Sequence, residues 1–302
     1  MAAARAEYEL AESLVASLDL SLQTPPIVQG WHSYCKDFEH TVRPATCRSC
    51  SSFIPESLAD ADFACAAQFT SLASRHGGRV HGLNTNPNLS FMHQLKLPAG
   101  YRFRNKRPAA PQRKQPAQVY VTLVQTDGLG LGAWNKPGRG SLPYSWEVTL
   151  PDLEIQPALL QMFYEQATAN DTFVAALSGP GYMYPKSSGK HLPRMLALAA
   201  QSMATLDLDV MVTFDATYAP ILLSLCLAFR AAGGSERKLR RNTTGGASAL
   251  GDTTLPADVV AEYAKGLPDA AGFLNGYGPS FTASPNDGHV FLSFDYYLDE
   301  QR

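Results

Sequence analysis

The chain has 302 residues, 45% of them hydrophobic and 17% charged, with a formal net charge of −2. That length and apolar share suit one large domain or two small ones, and they exclude a disordered chain and a generally basic binder of polyanions. No apolar run approaches the ~18–20 residues of a membrane helix, so neither a nucleic acid nor a membrane is expected as partner.

The first residues, MAAARAEYELAESLVASLDLSL, lack a basic stretch followed by an apolar core and do not read as a secretory signal. Tyr8, Leu10, Leu14, Val15, Leu18 and Leu20 form a rough helical stripe that Pro25-Pro26 ends. His32, Cys35, His40, Cys47 and Cys50 follow closely, and Cys47-Arg48-Ser49-Cys50 has the spacing of zinc sites. A second well-spaced pair is absent. A structural zinc, a disulfide and free thiols therefore stay open, and no metal site or cofactor is assigned. A helix over Ala61–Ser74 and a strand over Arg79–Leu83 complete an N-terminal α/β region, residues 1–95.

Residues 96–118 differ. Arg102, Arg104, Lys106, Arg107, Arg113 and Lys114 occur there with four prolines and no acid. An exposed connector is expected, with a phosphate- or polymer-facing patch as the alternative. From 119 to 302, strands at Val119–Gln125, Thr172–Leu177, Val210–Phe214, Gly272–Gly276 and Val290–Phe294 alternate with helices at Pro151–Ala167, Lys190–Leu206, Ala219–Ala232 and Ala257–Lys265. This is the pattern of parallel βαβ units. The expectation is an α/β fold: an incomplete or irregular (β/α) barrel-like domain behind the remnant of an N-terminal α/β domain. The last strand stops with little after it, as in a truncated chain.

Polar residues close these strands. Asp127 follows VYVTLVQT, Ser178-Gly179 follow TFVAAL, Asp215 follows VMVTF and Asp295 follows VFLSF. In parallel α/β folds the carboxyl ends of the strands form the binding face. Each Asp alone can cap the next turn, but three together suggest a shared site. Two facing carboxylates suit glycosidic bond cleavage, one protonated and one ionised. Tyr182, Tyr184, Trp134, Trp146, Tyr277, Tyr296 and Tyr297 lie nearby in sequence as sugar-stacking rings, with core packing as the alternative. Asp127–Gly140 is glycine-rich but runs into no helix pattern, so it reads as an open loop carrying Trp134 and Asn135 rather than a phosphate cradle.

After the TFVAAL strand comes Gly179-Pro180-Gly181-Tyr182-Met183-Tyr184-Pro185. The two glycines allow a sharp turn. Pro185 favours extension at Tyr184, and the tyrosines are expected on opposite sides of that extended backbone, as an aromatic lip. The segment resembles the signature of the GxGYxYP glycoside hydrolase family. YVTLVQTDG at Tyr120–Gly128, ATANDTFVAAL before the motif, PPIVQGW at Pro25–Trp31 and Ser74–Leu95 are similar to that family in the same order. The resemblance covers Pro25–Leu95 and Tyr120–Tyr297. It implies a carbohydrate-processing protein, often secreted or extracytoplasmic, with a barrel-like catalytic portion behind an N-terminal domain.

Carried over by position, the family's residues fall on Asp127, Asp171, Gly179, Gly181, Tyr182, Tyr184 and Pro185. One departure stands out: where the family's Asp-Gly-Asp has its second acid, this chain has Leu129. The expected function is thus a glycoside hydrolase-like enzyme acting on a carbohydrate ligand. Asp127, Asp171, Asp215 and Asp295 are the catalytic candidates. Tyr182, Tyr184, Gly179, Gly181, Trp134 and Asn135 are the substrate-binding candidates. The alternative is a glycan-binding protein without catalysis. A third reading, metal-assisted deacetylation, would require His32, His76 or His93 near Asp127.

Overall fold

The computed structural model describes residues 9–10, 12–17, 24–29, 69–82, 88–106, 120–125, 128–215, 255–270, 272–275 and 289–294. Its centre is a parallel sheet of six strands: β3 (Tyr120–Gln125), β4 (Tyr144–Thr149), β5 (Asp171–Ala176), β6 (Val210–Thr213), β7 (Gly272–Asn275) and β8 (His289–Phe294). A separate parallel pair, β1 (Ile27–Gln29) and β2 (Arg79–His81), comes from the N-terminal region.

The order β7-β6-β5-β4-β3-β8 fits a barrel-like winding. From β3 to β7 each strand lies beside the one before it, and β8 returns to the free side of β3 with six residues in register. First beside last is the adjacency of a (β/α) barrel. Among the described residues no pairing joins β7 to β8, and the described strands form an open sheet. Right-handed crossovers that always step the same way put their helices on one face. Three helices do cover that face: α1 (Pro157–Gln166), α2 (Leu192–Thr205) and α3 (Ala257–Gly266).

The periodicity of α2 is clear. Leu192, Met195, Leu196, Ala199 and Met203 are buried, the i, i+3, i+4 stripe of a core-facing helix. The stripe meets Trp146 and Val148 of β4, Phe173 and Ala175 of β5 and Met211 of β6. The expected single helix Pro151–Ala167 is instead a short turn, Asp152–Ile155, followed by α1. The break falls at Gln156 (φ −145°), because Pro157 disfavours helical backbone in the residue before it.

On the opposite face Val124, Val174, Ala176 and Val212 pack against the helical residues 69–75, Val80, Tyr182 and Tyr184. The N-terminal segments thus close one face of the sheet. The expected connector is also partly built in. Over residues 101–106 the chain alternates, with Phe103 buried against Tyr164 and Asn105 turned inward while Arg102, Arg104 and Lys106 are exposed. Asn105 Nδ2 donates to Phe173 O (2.9 Å), and Phe173 N donates to Asn105 Oδ1 (3.0 Å). That side chain replaces a neighbouring strand where β5 and β6 are not yet paired.

Candidate active site at the carboxyl edge of the sheet

Along β4, Trp146 and Val148 face the helices, so Ser145, Glu147 and Thr149 face the other way. Glu147 is fully buried, and Gly128 N lies 3.4 Å from its Oε2 as donor. Just past the strand, Asp152 is buried and accepts three hydrogen bonds: Thr149 Oγ1 (2.6 Å), Gln156 Nε2 (2.9 Å) and His81 Nε2 (2.8 Å). The hydroxyl and the amide can both donate to Asp152, and Nε2 is the ring nitrogen of His81 that faces it. His81 Nδ1 is buried and finds no hydrogen-bond partner.

Two residues earlier on β2, Arg79 is also buried. Its Nη1 and Nη2 donate to the two Glu154 oxygens (2.6 and 2.8 Å), Nη1 also to Pro180 O (3.0 Å) and Nε to Pro25 O (2.9 Å). A bidentate guanidinium–carboxylate pair fixes orientation as well as charge. Between them, Val80 N donates to Tyr182 O (3.0 Å) and Tyr182 N to Val80 O (2.8 Å). Arg79, Val80 and His81 therefore bind the glycine–tyrosine motif and the turn after β4 together.

The motif itself is held from β6. Ser178 has φ 67°, a left-handed backbone that costs a serine about 1 kcal/mol and needs support. Ser178 Oγ donates to Phe214 O (2.6 Å) and accepts from Phe214 N (2.7 Å), while the Tyr263 hydroxyl donates to Ser178 O. The turn conformation thus falls on the serine. The glycines are required by crowding: a Cβ at Gly181 would lie 2.8 Å from Arg79 Cβ, and one at Gly179 would meet the Met183 thioether. Next, Tyr184 N donates to Ser74 Oγ (2.9 Å) and Lys186 N to Asp215 Oδ2 (2.7 Å). Burial, and then the Asp215 charge, push the Tyr263 phenol well above its usual range.

Asp215 is therefore brought to the motif, where it caps the turn that Pro185 opens. The tyrosines share one side, with hydroxyls 3.1 Å apart, because residues i and i+2 of an extended chain face the same way. The expected opposite placement is corrected. Both rings are buried with Phe214, Tyr182 stacked on it at 6.2 Å.

Asp171 starts β5 rather than ending it. At ~3.3 Å per residue it lies roughly 20 Å along the strand direction from Ser178. It accepts from Trp146 Nε1 (2.9 Å), Thr168 N and Oγ1 (both 2.8 Å) and Arg139 Nη1 (2.6 Å). Burial pushes its carboxyl up, but these donors outweigh burial and hold it below the usual carboxylate range. Trp134 is buried on the helix side with Trp146 and Phe163, and Arg139 lies 4.0 Å over its ring. Asn135 beside it is exposed. Leu129, at the position of the family's second acid, is buried in the same helix-side core.

Asp127, Asp295, Tyr277, Tyr296, Tyr297, His32 and the cysteines at 35, 47 and 50 lie outside the described residues. Among those described, no three His, Cys, Asp or Glu side chains are placed to hold a metal ion. The sequence reading missed Glu147 because β4 was not recognised, and missed His81 because its partner lies 71 residues away.

No curated protein matches the chain. A solved structure described as a putative hydrolase from Bacteroides thetaiotaomicron is similar at 20% identity and a TM-score of 0.43, over 54% of this chain and 33% of that one. The model of the GxGYxYP putative glycoside hydrolase C-terminal domain matches residues 117–299, and the GxGYxYP segment at Gly179–Pro185 lies within that match. The chain belongs to the GxGYxYP family.

Proposed function

We propose that this chain carries the site of a carbohydrate-active enzyme that cleaves glycosidic bonds with two carboxylates at the carboxyl edge of its sheet. Asp127 and Glu147 are the first pair, with Asp215 and Asp295 as further candidates. One observation carries the choice of Glu147: a fully buried carboxylate on the inward side of β4 has as its donor the amide of Gly128, the residue directly after Asp127. In such a pair one carboxyl gives its proton to the leaving oxygen. The other attacks the anomeric carbon or activates water. A separation of ~5–5.5 Å would give retention and ~6.5–9.5 Å inversion. Tyr182 and Tyr184 then serve by holding the wall of the site.

The test is a panel of chromogenic glycosides and polysaccharides run with the wild type, Asp127→Asn and Glu147→Gln. Each variant should lose about 100-fold or more in kcat. Unchanged turnover in both would remove the pair from the mechanism. The second reading, glycan binding without catalysis, is favoured by Leu129, an apolar residue built into the core where the family has an acid. Saturable binding of a glycan that the wild type never cleaves would establish it.

A further inference from the structure

At the opposite edge of the sheet, Leu97, Tyr101, Arg102, Arg104, Thr205 and Asp207 line a cleft of about 400 Å³. It lies between the extended segment 101–106 and the end of α2. The Asn105 bonds to Phe173, near the start of β5, place it on the amino side. The size is within the range of small-ligand pockets.

The two arginines are what set this cleft apart. The buried Arg79 and the half-buried Arg139 have carboxylate partners, Glu154 and Asp171, whereas Arg102 and Arg104 are exposed. Among the described residues, Arg102 and Arg104 have no hydrogen-bond or ion-pair partner. Asp207 also lines the cleft, with its Oδ2 accepting from Asn105 N (2.9 Å), so the two arginines leave an excess of positive charge there. Both side chains alternate outward from a strand-like backbone anchored at Phe103 and Asn105, so both project on one side. Two permanently charged forks on one rigid segment suit a planar or tetrahedral oxyanion. Beside them, the Tyr101 ring is fixed edge-on against Phe103 (5.1 Å).

We propose that this cleft binds an acidic saccharide through its carboxylate or sulfate group, as an accessory site distant from the carboxyl edge. The oxyanion part rests on the arginines alone, and the saccharide part rests on the hydrolase reading above. A polymer held here would be retained while another stretch of it is processed.

Titration calorimetry of the full chain tests this with trigalacturonate, maltotriose and inorganic sulfate as probes. The wild type should bind trigalacturonate, more weakly as salt rises, and maltotriose at least tenfold more weakly. Arg102→Gln/Arg104→Gln should lose at least tenfold in affinity for trigalacturonate, as expected for charge-assisted bonds, with the thermal midpoint unchanged. Absent binding by the wild type, or equal binding by the double variant, would overturn the proposal. Equally strong binding of sulfate alone would overturn the saccharide class. Glu147→Gln should leave this binding intact, so failure of the catalytic reading is separately visible.

Discussion

Asp171 and Asp152 are both buried carboxylates at the ends of neighbouring strands, and they differ in what surrounds them. At the amino edge, Asp171 takes donors from a loop, a tryptophan and Arg139, all within the matched domain and all satisfied. Arg139 is further sandwiched over Trp134, so the cluster is a closed lock on the start of β5. At the carboxyl edge, Asp152 takes its histidine from β2, outside the matched residues 117–299, and that histidine keeps one ring nitrogen without a partner. Burial alone therefore does not mark a working acid. What separates the two clusters is the edge they occupy and the His81 ring nitrogen that the second one leaves without a partner.

The largest way to break this contrast is at Arg79. Arg79→Met removes every donor to Pro25 O and Pro180 O from that side chain and leaves Glu154 unmatched. Breaking a buried pair in this way should destabilise by about 3 kcal/mol in denaturant unfolding, somewhat less if the partly exposed Glu154 rehydrates. A loss below about 1 kcal/mol would show that β2 is a loose attachment. Asp171→Asn should cost less, about 2 kcal/mol, because the amide keeps some of the acceptor geometry.

The pH dependence sharpens the same point. The folded carboxyl of Asp171 is lowered from 3.8, so its stabilisation is present above that value and is lost as pH falls through the lower folded one. Unfolding curves of Asp171→Asn and wild type should converge below pH ~4 and separate above it. Parallel curves throughout would dismiss Asp171 as the lock.

Much of the helix-side layer was legible. The stripes of α1, α2 and α3 follow the helical period, and β3, β5 and β6 show as apolar runs. β4 escaped because its inward residues are Ser145, Glu147 and Thr149, and a strand with one polar face lacks the apolar run that marks its neighbours. The motif's glycines were readable as special, but not why: their crowding comes from Arg79 and Met183, one of them a hundred residues away in sequence. Trp134 read as a loop aromatic because its core partners Trp146, Phe163 and Phe173 come from three later elements. Asp215 stands out in the sequence by its place after β6, but its cap on the motif turn joins it to Lys186 N across 29 residues, a pairing that only the fold creates.

Smaller effects belong to the tyrosines that tie the motif. Tyr263→Phe leaves Ser178 O, a buried carbonyl, without that donor and should cost about 1.5 kcal/mol. In the wild type this phenol should ionise well above pH 10 by ultraviolet titration, and Asp215→Asn should bring its pKa down, since the Asp215 charge is the second cause of the rise. An unchanged titration would place Asp215 farther from Tyr263 than the structure has it. The smallest effect concerns the hydroxyl pair of Tyr182 and Tyr184. Each Phe substitution alone leaves the other hydroxyl buried, and the double substitution removes both polar groups. A double-mutant cycle should therefore give a coupling below about 1 kcal/mol, with the double variant nearly as stable as either single one. Strict additivity would mean that the two hydroxyls find other partners.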